Sequence, residues 1–335
     1  MSTEAGATPV SRVFRIVADA ELGHGEFGEV PVGAIGSGEL LLRASHSSVN
    51  YKDALAATGR AQVVRRFPLV GGIDVVGSVV ESTDPRFQPG EQVVVTGFGL
   101  SEDHDGGYAQ WVRVPAEWAV RLPEGLSPWE SMALGTGGLT AALALHRLEA
   151  NGVAPGQGPV AVTGATGGVG GLAIGMLARL GYETVALTRQ RDADAYLRSI
   201  GADAVERVPT FESSPKPLAS ARWAGAVDSV GGETLAWLIR TTMRGGSVAA
   251  FGNAGGLDLP TSVLPFILRA VNLLGINTGY FDDTLRHRLW TRMATDLRPA
   301  HLERVARTIG FDELPRAFAA LLEGTVRGRL VVDLA

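Results

Sequence analysis

The hydrophobic residues in the first third of the chain fall in short runs that turn residues separate. Four such runs lie at 39–43, 75–80, 92–96 and 110–114, with glycine and proline between them. Short apolar runs bounded by turn residues are typical of the strands of a sandwich or a barrel. The pattern therefore predicts a β-rich domain over about 13–122.

After Pro123 the pattern changes to longer segments in which predicted helices and strands alternate. Ser127 and Pro128 begin the first helix, because serine caps a helix N-terminus and proline fits its first turn. The elements predicted after it are helices at 139–149, 169–180, 193–200 and 233–243, and strands at 159–163, 183–188, 224–228, 247–251 and 271–276. This alternation predicts an α/β fold with a parallel sheet and helices on both of its faces.

The two patterns divide the 335 residues into two predicted domains. The alternating segment is predicted to be a Rossmann, nucleotide-binding domain over 134–294. The last apolar run, at 327–333, is predicted to be a strand that returns to the β-rich domain. That domain is therefore expected to contain residues 1–133 and 295–335.

Composition and charge narrow the classes of protein to which the chain can belong. No apolar run approaches the ~18–20 residues that cross a bilayer, and the first residues lack the basic and apolar segments of a signal peptide. We therefore expect a cytoplasmic protein with no membrane partner. The formal net charge of −5 argues against a nucleic-acid partner, which requires a basic surface.

No metal site is predicted from this sequence. The chain has no cysteine, which excludes disulfides and thiolate zinc sites. Its six histidines show no spacing that is typical of metal ligands. We therefore interpret these histidines as ordinary surface or core residues.

A glycine-rich segment carries the strongest chemical signal. Gly164, Gly167 and Gly170 follow the strand at 159–163 and open the helix at 169–180. Glycine lets the backbone turn tightly and approach a pyrophosphate, and amides at the helix N-terminus then face the anion. The Lys-Ser/Thr ending of an ATP or GTP loop is absent. Cofactor contacts are predicted at Gly164, Thr166, Gly167, Gly168, Val169 and Gly170.

The end of the next predicted strand distinguishes NADPH from NADH. NAD-binding domains place an acidic residue there, which binds the ribose hydroxyls. This chain has Thr188, Arg189, Gln190 and Arg191 instead. A threonine hydroxyl can bind a 2′-phosphate, and an arginine can pair with its charge. NADPH is therefore the predicted cofactor, with a solvated basic loop as the alternative interpretation.

Six further motifs are spread over nearly the whole chain: Asn50-Tyr-Lys-Asp-Ala-Leu55, Phe67-Pro68, Gly72-Ile-Asp74, Asp84-Pro-Arg-Phe87, Trp223-Ala-Gly-Ala-Val-Asp228 and Pro260-Thr-Ser-Val-Leu-Pro-Phe-Ile-Leu-Arg269. Together they resemble one branch of the medium-chain dehydrogenase/reductase superfamily. The branch is that of the acrylyl-CoA reductases, whose members have also been named quinone oxidoreductases. The resemblance implies a GroES-like catalytic domain in addition to the Rossmann domain, zinc independence and the use of NADPH. It also implies homodimers formed by Rossmann edge strands, here the strand near Val271.

The activity that the resemblance implies is reduction of an alkene conjugated to a thioester carbonyl, with acryloyl-CoA as the expected substrate. Hydride would add to the β-carbon, and the resulting enolate would then be protonated. Tyr51 is expected beside nicotinamide and substrate, where its hydroxyl donates a hydrogen bond to the enolate or delivers the proton. Asn50 is expected to orient the substrate or the cofactor amide.

The resemblance also implies further binding residues. Cofactor contacts are implied at Tyr51, Thr136, Thr140, Ser229, Gly252, Asn253, Leu273 and Asn277. Substrate contacts are expected at Thr278 and at three arginines that can meet the phosphates of CoA: Arg60, Arg65 and Arg66. The acidic loop at 102–105 argues against a CoA site, and a solvated charged surface is the alternative interpretation of the arginines.

Two other functions remain open from the sequence. The chain could be a general zinc-free reductase of enones or quinones with a broad pocket. It could also be an NADPH-binding redox sensor or structural protein with little catalysis. Gly71 stands where the branch usually has proline, and Asn277 and Thr278 also depart from its pattern. The acyl substrate is therefore the least determined part of the prediction.

Overall fold

The computed structural model describes residues 9–19, 22–211, 216–279 and 281–335. Contacts divide the chain into two compact units. The first unit contains residues 1–136, 307–326 and 330–335, and the second contains residues 137–306 and 327–329.

The described residues form sixteen strands and nine helices. The strands are β1 (Val10–Val17), β2 (His24–Pro31), β3 (Leu40–Ser48), β4 (Leu69–Val70), β5 (Asp74–Ser82), β6 (Gln92–Thr96), β7 (Trp111–Val114), β8 (Val120–Arg121), β9 (Val160–Val162), β10 (Thr184–Thr188), β11 (Ala204–Arg207), β12 (Trp223–Asp228), β13 (Thr242–Ala250), β14 (Asn272–Gly275), β15 (Ala306–Gly310) and β16 (Arg329–Asp333). The helices are α1 (Tyr51–Ala57), α2 (Pro128–Ala150), α3 (Gly168–Arg179), α4 (Asp194–Ser199), α5 (Gly232–Thr241), α6 (Leu264–Arg269), α7 (Asp283–Ala294), α8 (Leu302–Val305) and α9 (Leu314–Leu322). No helix in the described part of the chain is long and apolar enough to cross a bilayer.

The first unit is built on two sheets. One has the strand order β2-β1-β4, and the other has the order β15-β16-β3-β5-β6-β8, with β7 paired to β3. β16 pairs antiparallel with β3, and Val331 lies opposite Ser48. This pairing confirms the prediction that the last strand returns to the β-rich domain. In the core, the rings of Phe14, Tyr108 and Phe318 pack together, with centroids between 5.6 and 6.3 Å apart.

The second unit contains one parallel sheet of six strands, in the order β11-β10-β9-β12-β13-β14. Every residue of β9, β10 and β12 is buried, which is typical of parallel strands whose two faces are both covered. α3 packs on β9, β10 and β12, and α5 packs on β12 and β13. The predicted α/β fold class and its Rossmann sheet are therefore confirmed.

α2 begins where the sequence predicts and is interrupted once. The Ser127 N–H donates to Glu130 Oε2 (2.9 Å), and the Glu130 N–H donates to Ser127 Oγ (3.2 Å). This reciprocal pair is a capping box, and it confirms the predicted helix start. At Gly135 the backbone (φ 48°, ψ −153°) is not helical, and glycine permits this conformation because it lacks a Cβ.

The boundaries of the units differ from the predicted domain boundaries at residues 295–306. These residues belong to the second unit, where Leu297, Leu302 and Val305 are buried and α8 packs on α3. Gly328, in the returning segment, also belongs to the second unit. The difference arises because the apolar residues of 295–306 show no spacing that identifies their packing partner.

Candidate active site

Four hydrogen bonds converge on the carboxylate of Asp74, at the start of β5 in the first unit. Asp74 Oδ2 accepts from Ser48 Oγ (2.5 Å), Asn50 Nδ2 (2.9 Å) and the Thr136 N–H (3.0 Å). Asp74 Oδ1 accepts from Thr136 Oγ1 (2.5 Å), and Asp74 is fully buried. Hydrogen bonds to a charged acceptor are the strong ones. Asp74 therefore fixes the positions of the predicted site residues Asn50 and Thr136.

Asp74 is a site residue that sequence reasoning missed. Its partners Asn50 and Thr136 lie 24 and 62 positions away along the chain. The only available signal was the motif Gly72-Ile-Asp74, which indicates the family without indicating the contacts. The N–H and hydroxyl groups of Thr136 both donate hydrogen bonds to Asp74, so Thr136 has a structural role in holding this carboxylate. Its contact with the cofactor stays a prediction.

Asp53 supports the same turn from within α1. Its Oδ2 accepts from the Asn50 N–H (2.9 Å), and its Oδ1 accepts from the Ile73 N–H (3.0 Å). Complete burial and the nearby charge of Asp74 raise the pKa of Asp53 to about 7, although its hydrogen bonds act in the opposite direction. Asp53 therefore links α1 to the segment that precedes β5.

The contribution of Asp53 to stability is expected to fall as the pH rises. A carboxyl whose pKa is raised by folding favours the folded state while it is protonated, and this advantage is lost as the pH rises through about 7. The asparagine of Asp53→Asn cannot ionise. Between acidic and alkaline pH, the free energy of unfolding of the wild type should therefore fall by roughly 1–4 kcal/mol more than that of the variant. Urea unfolding of both proteins at about pH 5 and about pH 8 measures this difference. The same pH dependence in both proteins would contradict the prediction.

Tyr51 is the first residue of α1, and it is half exposed (49%). The residue before it is fixed, because Asn50 is held through its N–H by Asp53 and through its amide group by Asp74. The Lys52 ammonium pairs with a glutamate of the acidic loop. The turn thus holds Tyr51 in place while leaving its side chain accessible, as a group that contacts a ligand requires.

The three arginines predicted to bind substrate are exposed, and two of them contact the acidic loop. Arg65 pairs with Glu102 (3.6 Å) and Asp103 (3.5 Å), and Arg66 Nε donates to the Asp103 carbonyl (2.7 Å). Arg60 forms no ion pair with any described residue. Neighbouring cations therefore offset the negative charge of the loop, which removes part of the argument against a CoA site.

The glycine turn of the second unit has the backbone that a pyrophosphate site requires. Gly164 has a φ of +55°, which glycine adopts without strain. A Cβ on Gly170 would lie 2.4 Å from the Gly164 carbonyl oxygen, so only glycine fits there. α3 begins at this turn, and amides at a helix N-terminus attract an anion. The other predicted residues lie in the same turn and the start of α3: Thr166, Gly167, Gly168 and Val169.

Asp228, at the end of β12, is a second buried carboxylate that sequence reasoning missed. It accepts from Thr163 Oγ1 (2.6 Å) and from the Gly231 N–H (2.8 Å), and burial raises its pKa. Ser229 Oγ donates to the Thr163 carbonyl (3.2 Å). A Cβ on Gly164 would lie 2.1 Å from Ser229 Oγ. Asp228 and Ser229 therefore join the ends of β9 and β12 at the glycine turn.

The predicted residues Gly252 and Asn253 follow β13, the next strand of the same sheet. A Cβ on Gly252 would lie 2.0 Å from the Ser229 carbonyl oxygen, and Asn253 is exposed. β9, β12 and β13 are parallel neighbours, so the residues that follow them share one edge of the sheet. Gly164, Ser229 and Gly252 thus lie where parallel sheets of this kind bind nucleotides.

The loop after β10 favours a phosphorylated ribose. Thr188 ends β10 and is almost completely buried, and its Oγ1 accepts from the Gln190 N–H (3.1 Å). Arg189 is exposed. Strand register places Arg207 of β11 opposite Thr188, and Arg207 pairs with Asp194. β10 ends in threonine instead of an acidic residue, and a cationic group is the natural partner of a phosphate. Arg207 is therefore a further candidate for binding the 2′-phosphate, and only the strand register reveals it.

The structure brings together a residue predicted to contact the cofactor, Thr140, and one predicted to contact the substrate, Thr278. Thr140 Oγ1 lies 3.1 Å from Thr278 Oγ1. The Thr278 carbonyl lies 3.5 Å from the guanidinium of Arg286, which is buried, and burial lowers the Arg286 pKa to about 10. Asn277 Oδ1 accepts from a backbone N–H two residues on (2.9 Å). Leu273 lies in the edge strand β14 and is partly exposed.

Comparison with known proteins identifies the family. A family model described as the alcohol dehydrogenase GroES-like domain matches residues 36–124. A protein of Ruegeria pomeroyi named acrylyl-CoA reductase AcuI is 47% identical over 298 residues, which are 89% of this chain and 90% of that protein. The chain belongs to the medium-chain dehydrogenase/reductase family. The GroES-like domain and the family that the motifs predict are therefore confirmed.

Two further proteins support the place of the chain within the medium-chain dehydrogenase/reductase family. YhfP of Bacillus subtilis, named as a quinone oxidoreductase, is 44% identical over 88% of this chain and 90% of its own length. The crystal structure of yhfP with NAD bound matches with a TM-score of 0.94, at 40% identity, over 97% of this chain and 99% of that one. The yhdH oxidoreductase of Salmonella enterica in complex with NADP matches with a TM-score of 0.93, at 38% identity, over 96% and 99%.

The segments 47–50 and 72–74 contain Ser48, Asn50 and Asp74, and the side chains of Ser48 and Asn50 both donate hydrogen bonds to Asp74. Across the described residues, no three potential ligand side chains are grouped so as to hold a metal ion.

Proposed function

We propose that this protein uses NADPH to reduce a C=C bond conjugated to a thioester carbonyl, with acryloyl-CoA as the substrate and propionyl-CoA as the product. The observation that carries the proposal is the 47% identity, over 89% of the chain, to a protein named acrylyl-CoA reductase. The network around Asp74 supports it, because that network fixes the turn on which Tyr51 stands.

The proposed cofactor is NADPH. Relatives were crystallised with NADP and with NAD. The loop after β10 favours NADPH because Thr188 and Arg189 stand where an NAD-binding domain has an acidic residue. The glycine turn fits the pyrophosphate, and Thr188, Arg189 and Arg207 fit the 2′-phosphate. When it is bound, the nicotinamide supplies the hydride.

The side chains of the first unit are proposed to stabilise the enolate that hydride addition produces and to assist its protonation. Addition of hydride to the β-carbon turns the C=C bond into a single bond and leaves negative charge on the thioester oxygen. The Tyr51 hydroxyl donates a hydrogen bond to that oxygen, and Asn50, held by Asp74, orients the reacting groups. Tyr51 or a water molecule then supplies the proton that forms the C–H bond at the α-carbon.

The CoA group is proposed to lie near Arg60, Arg65 and Arg66, whose charges can meet its phosphates. Thr278, which contacts Thr140, is proposed to lie near the acyl group. A second candidate function is general reduction of enones or quinones. The observation that favours it is the 44% identity to YhfP, which is named as a quinone oxidoreductase.

The first experiment is a steady-state assay of NADPH oxidation with acryloyl-CoA, with NADH and a simple quinone in parallel. We expect fast, saturable turnover with NADPH and the thioester. Weak thioester turnover with good quinone activity would replace the first candidate function by the second. Binding of NADPH with no turnover on any of these substrates would contradict both candidates and favour a redox sensor.

Tyr51→Phe is expected to lower the rate of a single turnover by about 10- to 100-fold, because the developing oxyanion loses a hydrogen-bond donor. The dissociation constant for NADPH should change much less, since the ring is retained. Stopped-flow measurement of NADPH oxidation with excess enzyme gives the rate. An unchanged rate, together with unchanged stereochemistry of deuterium incorporation at the α-carbon in D2O, would remove Tyr51 from proton delivery and oxyanion binding.

The protein is proposed to form a homodimer through the edge strand β14. Several apolar side chains in this part of the second unit are exposed, which is typical of an interaction surface: Leu257, Val263, Ile267, Leu268 and Leu273. An edge strand also offers unpaired backbone groups to a partner strand. A second copy of the chain satisfies both features.

Ile267→Glu should convert the dimer to a monomer at micromolar concentration, because it places a charge among apolar side chains that are 38–85% exposed. Sedimentation velocity reports the mass. Val10→Glu changes an exposed apolar residue of the first unit and should leave the mass unchanged. If the wild type sediments as a monomer, the dimer proposal is wrong.

A further inference from the structure

The chain that follows α9 is fixed against the glycine turn within the second unit. The Gly328 N–H donates to the Thr166 carbonyl (2.9 Å), and Gly328 forms a β-bridge with Gly167. The φ of Gly328 is +67°, and a Cβ on it would lie 1.9 Å from the Val305 carbonyl oxygen. Only glycine fits these constraints. The backbone therefore holds the preceding residue, Arg327, at a fixed place beside the turn.

The side chain of Arg327 contacts the loop that follows β10. Its Nε donates to Gln190 Oε1 (3.3 Å), and its Nη2 pairs with Asp192 Oδ2 (2.5 Å). The side chains of Arg327 and Asp192 are 38% and 77% exposed, so a ligand from solvent can reach both. The same loop begins at Thr188 and Arg189, which fit the 2′-phosphate. Arg327 thus joins the pyrophosphate turn to the ribose loop.

Asp192 affects the charge that the loop presents to a nucleotide. An exposed aspartate is ionised at neutral pH, and the hydrogen bond from Arg327 lowers the pKa of Asp192 further. A free carboxylate in this loop would repel a phosphate, because like charges at short range repel. The guanidinium of Arg327 cancels that charge. Removing Arg327 would therefore leave negative charge beside the phosphorylated ribose.

We propose that Arg327 is a specificity residue for the 2′-phosphate of the nucleotide. It neutralises Asp192, holds Gln190 in place, and offers its remaining N–H donors to the phosphate, as a planar group with five donors permits. The inference deepens the proposed function and rests on NADPH as the cofactor. A residue that merely braced the loop would affect NADPH and NADH alike, whereas this charge discriminates between them.

The test compares the dissociation constants for NADPH and NADH, measured by fluorescence titration of the full chain without substrate. In Arg327→Gln, the preference for NADPH should fall about 10-fold, and Arg327→Lys, which keeps the charge, should retain most of it. Asp192→Asn should raise the preference about 3-fold, because a repulsive charge is removed. High salt should reduce the change in preference in both Arg327→Gln and Asp192→Asn, because salt screens exposed charges. The control Arg86→Gln breaks an ion pair with Asp84 in the first unit and should leave the preference unchanged.

Two outcomes would overturn the proposal. One is an unchanged preference in Arg327→Gln, including the case in which both nucleotides bind more weakly by the same factor, and the other is a lower preference in Asp192→Asn. Circular dichroism shows whether each variant is folded. If Arg327→Gln does not fold, Asp192→Asn still tests the proposal. The proposed function fails in a different way: the wild type would then bind NADH as tightly as NADPH.

Discussion

Gly170→Ala should weaken NADPH binding by at least about 100-fold, or roughly 3 kcal/mol. The new Cβ would lie 2.4 Å from the Gly164 carbonyl oxygen and 3.0 Å from the Ala165 Cα. Both are backbone atoms, which cannot rotate away as a side chain can. The start of α3 must therefore move relative to the turn, and its amides lose the geometry that attracts an anion. Fluorescence titration with NADPH measures the effect.

The adjacent residue provides a matched control for this variant. A Cβ on Gly171 would lie 3.3 Å from the Tyr196 hydroxyl oxygen and 3.4 Å from a methyl group of Val305, which are side-chain atoms. Alanine also favours a helix more than glycine does, by about 1 kcal/mol. Gly171→Ala should therefore bind NADPH within about 3-fold of the wild type. Equal effects of the two substitutions would contradict the assignment of this turn to the pyrophosphate.

Asp74→Asn is expected to have the second large effect, on both stability and rate. The amide keeps the shape of the carboxyl but turns one acceptor into a donor, so donors from Ser48, Asn50 or Thr136 are left facing an NH₂ group. A buried donor without an acceptor, in a network built around a charge, costs about 2–4 kcal/mol. The single-turnover rate should fall about 100-fold, because Asn50 loses the bond that fixes the turn before Tyr51. Urea unfolding and stopped-flow assays measure the two effects.

Another aspartate of the first unit, Asp84, serves as the control for Asp74→Asn. Asp84 pairs with the exposed Arg86, and an ion pair of this kind contributes little to stability, so Asp84→Asn should have little effect on stability and leave the rate unchanged. Loss of the Asp74 charge should also lower the pKa of Asp53, which that charge raises. A variant of normal stability and normal rate would show that Asp74 does not organise the turn.

Much of the second unit could be predicted because its local patterns are strong. Parallel strands with both faces buried appear as continuous apolar runs, such as 160–162 and 185–187. The glycines at the phosphate turn are needed by the backbone itself, so their spacing is visible in the sequence. α7 is missing from the predicted elements because it carries many charged residues. One of them, Arg286, is nevertheless buried.

The polar contacts of the candidate site were harder to predict, because they join residues that are distant in sequence. Thr136 and Asp74 are 62 positions apart, and Arg327 and Gln190 are 137 apart. No periodicity connects such pairs, and an aspartate that gathers hydrogen bonds resembles a surface aspartate in the sequence. The arginines at 65 and 66 show the converse problem: their clustering is visible in the sequence, but their pairing with the acidic loop is not.

The return of β16 to β3 affects the order in which a newly made chain can fold. Domains that emerge first from the ribosome usually fold first. Here Val331 and Val332 of β16 pair with Ser48 and Ser47 of β3, so the sheet around β3 stays incomplete until β16 has been synthesised. All six strands of the parallel sheet lie between residues 160 and 275. The parallel sheet can therefore form before β16 has been synthesised, while the sheet that carries Asp74 cannot be completed until β16 is available.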